Sequence, residues 1–130
     1  MRALVGGHLC IDFFPQMDRQ PGLVEGALYS LGPMVARPGG CVYTTGQTMA
    51  GLGIDVRLAA AVGQDPLAGL LLELCRSEGL DTAGLSRIDA STSYTIVSQA
   101  PGRDRTFWHH LGANEFFDGR DLDLTGVDLV

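Results

Sequence analysis

IDVRLAAAVGQDPLAGLLLELCRSEGL, residues 54–80, is the stretch that sets the fold class. Ile54 to Val62 reads as a strand. Asp65-Pro66 then reads as an N-cap with proline at the first helical position. The carboxylate accepts from free N–H groups, and the proline has no N–H to leave unsatisfied. Leu67 to Leu80 supplies an apolar stripe and a glycine stop at Gly79. Strand, turn and helix in this order predict an α/β layer structure with a mainly parallel sheet.

Working outward, PGGCVYTTGQTMAGLG (38–53) is a glycine-rich turn feeding an earlier helix, expected over Thr45 to Leu52 with Gly53 as its stop. It fails as a Walker-type phosphate cradle. Gly40 and Gly46 are one residue too far apart, and Gln47 stands where a lysine is needed. No GxGxxG occurs. Ala3 to Val5 and Leu9 to Phe14 read as strands with Gly6-Gly7 at the bend between them, and Ala27 to Val35 as an irregular strand. Thr92 to Gln99 and Arg105 to His110 form a predicted hairpin about Ala100 to Asp104. Thr125 to Val130 reads as a turn entering another buried strand.

Composition narrows the function classes. The chain has 130 residues, 45% of them hydrophobic, enough for one domain with a core of its own. Fifteen acidic against nine basic residues leave a formal net charge of -6, with the basic residues scattered, which argues against a nucleic-acid surface. The apolar N-terminal run is short and broken by Gly6, Gly7, His8 and Asp12, so it reads as neither a targeting signal nor a membrane span. Cys10, Cys41 and Cys75 form no CxxC pair, and a reducing, cytoplasmic setting is the expectation.

Asp12 is the first candidate for chemistry. An unpaired carboxylate in an apolar strand is costly, so it belongs at a strand end, paired, or facing a ligand whose hydroxyls it can accept from. His8, Cys10 and Asp12 alternate along one strand face, which raises a metal reading; with no fourth ligand in view, no metal is assigned. Thr44 can hydrogen-bond a ligand hydroxyl or cap the helix that follows it. In the hairpin, Phe107 and His109 share one face, and Trp108 and His110 the other.

Five segments, taken in order, resemble the amino-terminal half of the ribokinase-like (PfkB-type) carbohydrate kinase family. They are GGHLCIDFFP, the Gly39-Gly40 turn running through its helix to Leu52-Gly53, AAAVGQDPLAG at 59–69, EGLDTAGL at 78–85, and GRDRTFWHHLGAN at 102–114. Thr44 stands where the family has Asn. The resemblance implies a three-layer α/β/α fold with a mainly parallel sheet plus a small β-sheet lid, truncated before the carboxy-terminal half. Residues 1–130 would form part of one domain, with lid segments at about 13–38 and 92–111. It further implies an ATP-dependent kinase that phosphorylates a hydroxyl of a sugar or nucleoside. Asp12, Gly39, Gly40, Thr44, Cys10, Thr95 and His109 would lie at substrate-binding positions.

The family's Asn-x-x-Glu and Gly-Ala-Gly-Asp segments, which organise magnesium and phosphates and carry the catalytic base, do not occur in the sequence. No catalytic residue is therefore expected here. ATP and Mg2+ belong to a full-length parent, and neither is expected to bind this chain alone. The lid sheet of the family also pairs between subunits, so a homodimer is a further expectation. A non-catalytic sugar-binding or oligomerising module is the rival reading.

Overall fold

A computed structural model describes residues 1–130. Its element order is β1 (Arg2–Gly6), β2 (Cys10–Pro15), β3 (Met34–Gly39), α1 (Gly40–Gly51), β4 (Asp55–Val62), α2 (Pro66–Ser77), β5 (Asp81–Arg87), β6 (Tyr94–Ser98) and β7 (Thr106–His110), followed by a 3-10 turn at Gly112–Phe116. Two sheets result. The body sheet is parallel, in the order β1-β4-β5, and the small sheet is mixed, in the order β3-β2-β6-β7.

β4 is central and buried on both faces. Val56, Leu58, Ala60 and Val62 join Val42 of α1 and Ala68, Leu71, Leu72 and Cys75 of α2 in one apolar cluster. Each fully buried leucine in it contributes about 1.5–3 kcal/mol. Ala59 and Ala61, also buried, point to the opposite face, where the 3-10 turn lies against β4. Leu9 and Ile11 extend the cluster, so one face of the small sheet is anchored to the body while the other is left to carry polar groups.

Four sequence expectations change. The first helix starts at Gly40, a full turn before Thr45, with Gly39 as an extended N-cap that supplies no side-chain bond. The strand expected over Ala27 to Val35 is instead Met34–Gly39. Gly32 N–H donates to Gln16 O at 2.8 Å and Gln16 N–H to Pro33 O at 2.9 Å, so the preceding segment closes as a loop. Asp81–Arg87, to which the sequence reading assigned no strand, is a strand pairing in parallel with β4. The segment ending at Val130 is not buried. It makes one parallel bridge, Leu129 to Ala3, and both of its last residues are exposed.

The junction between body and small sheet centres on Asp65. Its carboxylate caps α2 by accepting from Ala68 N–H at 3.0 Å, and also accepts from Thr92 N–H at 2.7 Å and the Thr92 hydroxyl at 2.6 Å. Burial alone would raise its pKa, but the bonds from Thr92 and Ala68 together outweigh that and hold it below the ordinary value of 3.8. Asp65→Asn should therefore cost about 2–3 kcal/mol in urea unfolding at neutral pH, the scale of bonds to a charged group. Because the folded pKa is depressed, this stabilisation is present above the unfolded value and disappears as pH falls through the folded one. The gap between wild type and Asp65→Asn should close as the solution is acidified below pH 3.8. A gap that persists unchanged in acid would show that the charge contributes nothing.

Candidate functional site

β1 ends at Gly6, and the chain crosses to the small sheet through Gly7, His8 and Leu9. This crossing is held by Asn114 of the 3-10 turn, which accepts from Leu9 N–H at 3.1 Å and donates to Leu9 O at 2.8 Å. Beyond it β2 alternates. Ile11 enters the core, and Cys10 and Asp12 take the other face. The register then places Asp12 opposite Thr95 of β6, and Thr95 opposite His109 of β7. Arg37 of β3 stands opposite Asp12 on the other side, exposed and with no carboxylate partner.

These side chains form a continuous polar chain. The Cys10 thiol donates to Asp12 Oδ1 at 3.2 Å, Cys10 Sγ lies 3.8 Å from Thr95 Oγ1, and Thr95 Oγ1 lies 3.0 Å from His109 Nδ1. The His109 ring meets that of His8 at a centroid distance of 5.2 Å. Burial, reinforced by the Asp12 charge, pushes the Cys10 thiol up to about 12, so it keeps its proton and donates. The His8 pKa is lowered, first by burial and then by His109, with Asp12 opposing. His8 is therefore a neutral imidazole at pH 7, able both to donate and to accept.

The double glycine takes its meaning from this crossing. A Cβ on Gly39 would fall inside the Asp12 carboxylate. Gly40 has φ 86, and a Cβ there would lie 2.5 Å from His8 O and 2.8 Å from His8 Cδ2. Val42 N–H also donates to His8 O at 3.1 Å. The groups that approach the two glycines are thus Asp12 and His8.

Of the sequence-derived candidates, Asp12, Cys10, Thr95, His109, Gly39 and Gly40 come together. Thr44 does not join them by any hydrogen bond. It is exposed one turn into α1, donates its hydroxyl to Gly40 O at 3.1 Å, and caps nothing, since the helix begins before it. His8 and Asn114 are additions. His8 had stood out only in the alternation with Cys10 and Asp12, and nothing local marks Asn114 as the clasp of a residue 105 positions away. His110 lies on the opposite face, where Nε2 is 2.6 Å from Ser91 Oγ and the ring packs on Tyr94. A cavity of about 500 Å³, lined by Leu4, Val5, Met49 and Phe117 with Thr45 and Asp118 among its polar residues, runs along β1 away from this group and offers a mainly apolar surface.

Residues 2–130 match the pattern of the pfkB family of carbohydrate kinases. The chain belongs to this family. Among solved structures, the ribokinase from Cryptococcus neoformans var. grubii serotype A, in complex with ADP, is 25% identical with a TM-score of 0.73, over 98% of this chain and 40% of that one. The fructokinase of Halothermothrix orenii is 18% identical with a TM-score of 0.71, over 91% and 40% of the two chains. The Arabidopsis thaliana ribokinase complexed with ribose and ATP is 19% identical with a TM-score of 0.72, over 85% and 36%. The fold is ribokinase-like, and the chain spans about 40% of the length of these relatives. No curated protein sequence matches it.

For a pfkB-family chain with this geometry, Gly39→Ala is a sharp probe. Gly39 has an extended backbone, φ -144, that alanine adopts freely, so the conflict is steric, and its nearest atoms are those of the Asp12 carboxylate. Overpacking of this kind costs about 1–3 kcal/mol. The expected outcome is a folded variant, less stable by that amount, whose Asp12 and Thr95 amide signals shift while those of α2 stay in place. Unchanged Asp12 signals would contradict the close approach.

Proposed function

We propose that this chain supplies the acceptor-binding portion of an ATP-dependent sugar kinase, which transfers the γ-phosphoryl group to a substrate hydroxyl. The observation that supports this most is the row Asp12–Thr95–His109. It holds one carboxylate with Oδ1 taken by a thiol and Oδ2 left over, beside an imidazole, at the base of a small sheet in a carbohydrate-kinase fold. A carboxylate oxygen flanked by neutral donors and acceptors suits polyol recognition, and each bond to the charged group contributes about 1.5–3 kcal/mol. The small sheet would act as a lid that excludes water from the acceptor.

ATP and magnesium supply the phosphoryl group and the charge neutralisation such a transfer needs. The segments that would organise them, Asn-x-x-Glu and Gly-Ala-Gly-Asp, do not occur in this chain. The 130 residues alone would accordingly hold an acceptor without phosphorylating it. No helix is long and apolar enough to cross a membrane.

Asp12→Asn should weaken acceptor binding about ten- to a hundredfold, the equivalent of one charge-assisted bond. His109→Ala should weaken it as well, and His110→Ala should alter stability alone, because His110 faces Ser91 and Tyr94. Calorimetric titration with ribose and fructose checks this. Equal losses from both histidine variants would refute the assignment of faces.

The same lid face carries, one row further out, Val35 opposite Phe14 and Val97 opposite Phe107. Phe14, Val35 and Phe107 are exposed, which leaves an apolar stripe across the sheet. We read it as the contact of a homodimer formed lid to lid. Light scattering should then give a dimer for the wild type and a monomer for Phe107→Asp, and a monomeric wild type would sink this reading.

A further inference from the structure

We propose that His8, in the crossing into β2, and His109, on β7, together bind a divalent transition-metal ion of the zinc type. Their rings meet with centroids 5.2 Å apart and planes inclined by 50°. Two imidazoles that share one tetrahedral zinc, each at a Zn–N distance of about 2.0–2.1 Å, have ring centres roughly 5 Å apart. The pair in this chain already has that spacing.

The protons of the row decide which nitrogen of His109 is free. The Cys10 thiol donates its single proton to Asp12 Oδ1 at 3.2 Å. Its sulfur can then only accept, so the 3.8 Å contact with Thr95 Oγ1 takes the Thr95 hydroxyl proton. Thr95 has no second proton, and the 3.0 Å bond between Thr95 Oγ1 and His109 Nδ1 is therefore donated by the ring. The Nδ1–H of His109, the Thr95 hydroxyl and the Cys10 thiol thus all point one way, toward the Asp12 carboxylate. A neutral ring with its proton on Nδ1 has a bare lone pair on Nε2. A histidine that ligates a metal through one nitrogen almost always donates its other N–H to a fixed acceptor, which sets the tautomer and makes the ligand more basic. Here that acceptor is in place, with a carboxylate at the end of the row behind it.

His8 supplies the second nitrogen. Its ring nitrogens make no hydrogen bond within the chain, and the ring is seated against Gly40, where a Cβ would lie 2.8 Å from His8 Cδ2. His109 is exposed and His8 half-buried, so an ion can reach the pair from solvent. No third His, Cys, Asp or Glu side chain converges with them, and water would take the remaining coordination positions. Imidazole nitrogens suit zinc, whereas Mg2+ prefers oxygen ligands. The site does not depend on whether the face beside it holds an acceptor.

The test is a titration of the tag-free 130-residue chain with zinc chloride, followed by proton–nitrogen NMR of the imidazole rings. Before zinc is added, His109 should carry its proton on Nδ1, and a ring protonated on Nε2 would overturn the inference. Zinc should then shift the ring nitrogens of His8 and His109 along one common saturation curve and leave the His110 ring, on the opposite face, unmoved. Magnesium chloride should shift none of the three. His8→Ala and His109→Ala should each abolish the common curve. Thr95→Val, which removes the oxygen that takes the Nδ1 proton, should weaken zinc binding about ten- to a hundredfold, and Thr95→Ser should restore it. The histidine variants, whose side chains are not fully buried, keep the test decisive if Thr95→Val fails to fold. Cys41→Ser removes the exposed thiol whose Sγ lies 3.7 Å from His8 O, and it should leave the curve unchanged. Loss of zinc binding in Cys41→Ser would assign the metal to sulfur and overturn the two-histidine site, as would shifts confined to one of the two rings.

Discussion

The clasp of Asn114 on Leu9 is the constraint on which the site depends. A primary amide offers one acceptor and two donors in a plane, and here it matches the backbone N–H and C=O of a single residue as a neighbouring strand would. Leu9 is at the point where the chain leaves one sheet for another and has no strand partner of its own. Its side chain is fully buried, and unpaired backbone groups there would each cost about 1–3 kcal/mol. By satisfying both at once, Asn114 fixes the direction in which β2 sets out. Everything on β2 inherits that direction, including which face Cys10 and Asp12 occupy.

The other crossings are tied in at the same place. Ala113 N–H donates to Ser91 O at 2.8 Å, Ser93 Oγ donates to His110 O at 2.9 Å, and Gly63 N–H donates to Thr92 Oγ1 at 3.0 Å. The small sheet is thus attached at its base by bonds between loop and strand ends, and its outer rows have only each other. A polar row near that base sits in a lower effective dielectric than the exposed apolar row beyond it, which strengthens its internal bonds and raises the cost of leaving any of them unmade.

How much of this could be read from the residues follows from how local each cause is. Asp65-Pro66 named the start of α2 because a cap and a proline act within one turn, and the structure adds only the bonds to Thr92. β5 was hidden. Gly84 is a poor strand former, yet a Cβ at that position would lie 2.5 Å from Leu58 O, so the glycine is what permits the pairing. The end of β3 was hidden by Pro38-Gly39-Gly40, which has the composition of a turn, although an edge strand accepts proline. In the site, the shared face of Cys10 and Asp12 follows from a period of two. The row that joins them to Thr95 and His109 depends on a register set by distant strands, and only the family resemblance had pointed to those two positions. His8 lies in an irregular crossing where no periodicity operates.

The strand order of the small sheet also bears on when it forms. Its central pairing, β2 with β6, joins Ile11 to Tyr94, and every element of the body from α1 to β5 lies in the loop between them. Closing so long a loop has an entropy cost that no local contact repays, whereas β6 and β7 are joined by a short hairpin and α2 with its cap forms within one segment. The body must therefore condense before the small sheet has two ends to join. By the same reasoning the small sheet is the cooperative unit that opens first, so exchange of its inner amides reports a local event and exchange in β4 reports global unfolding.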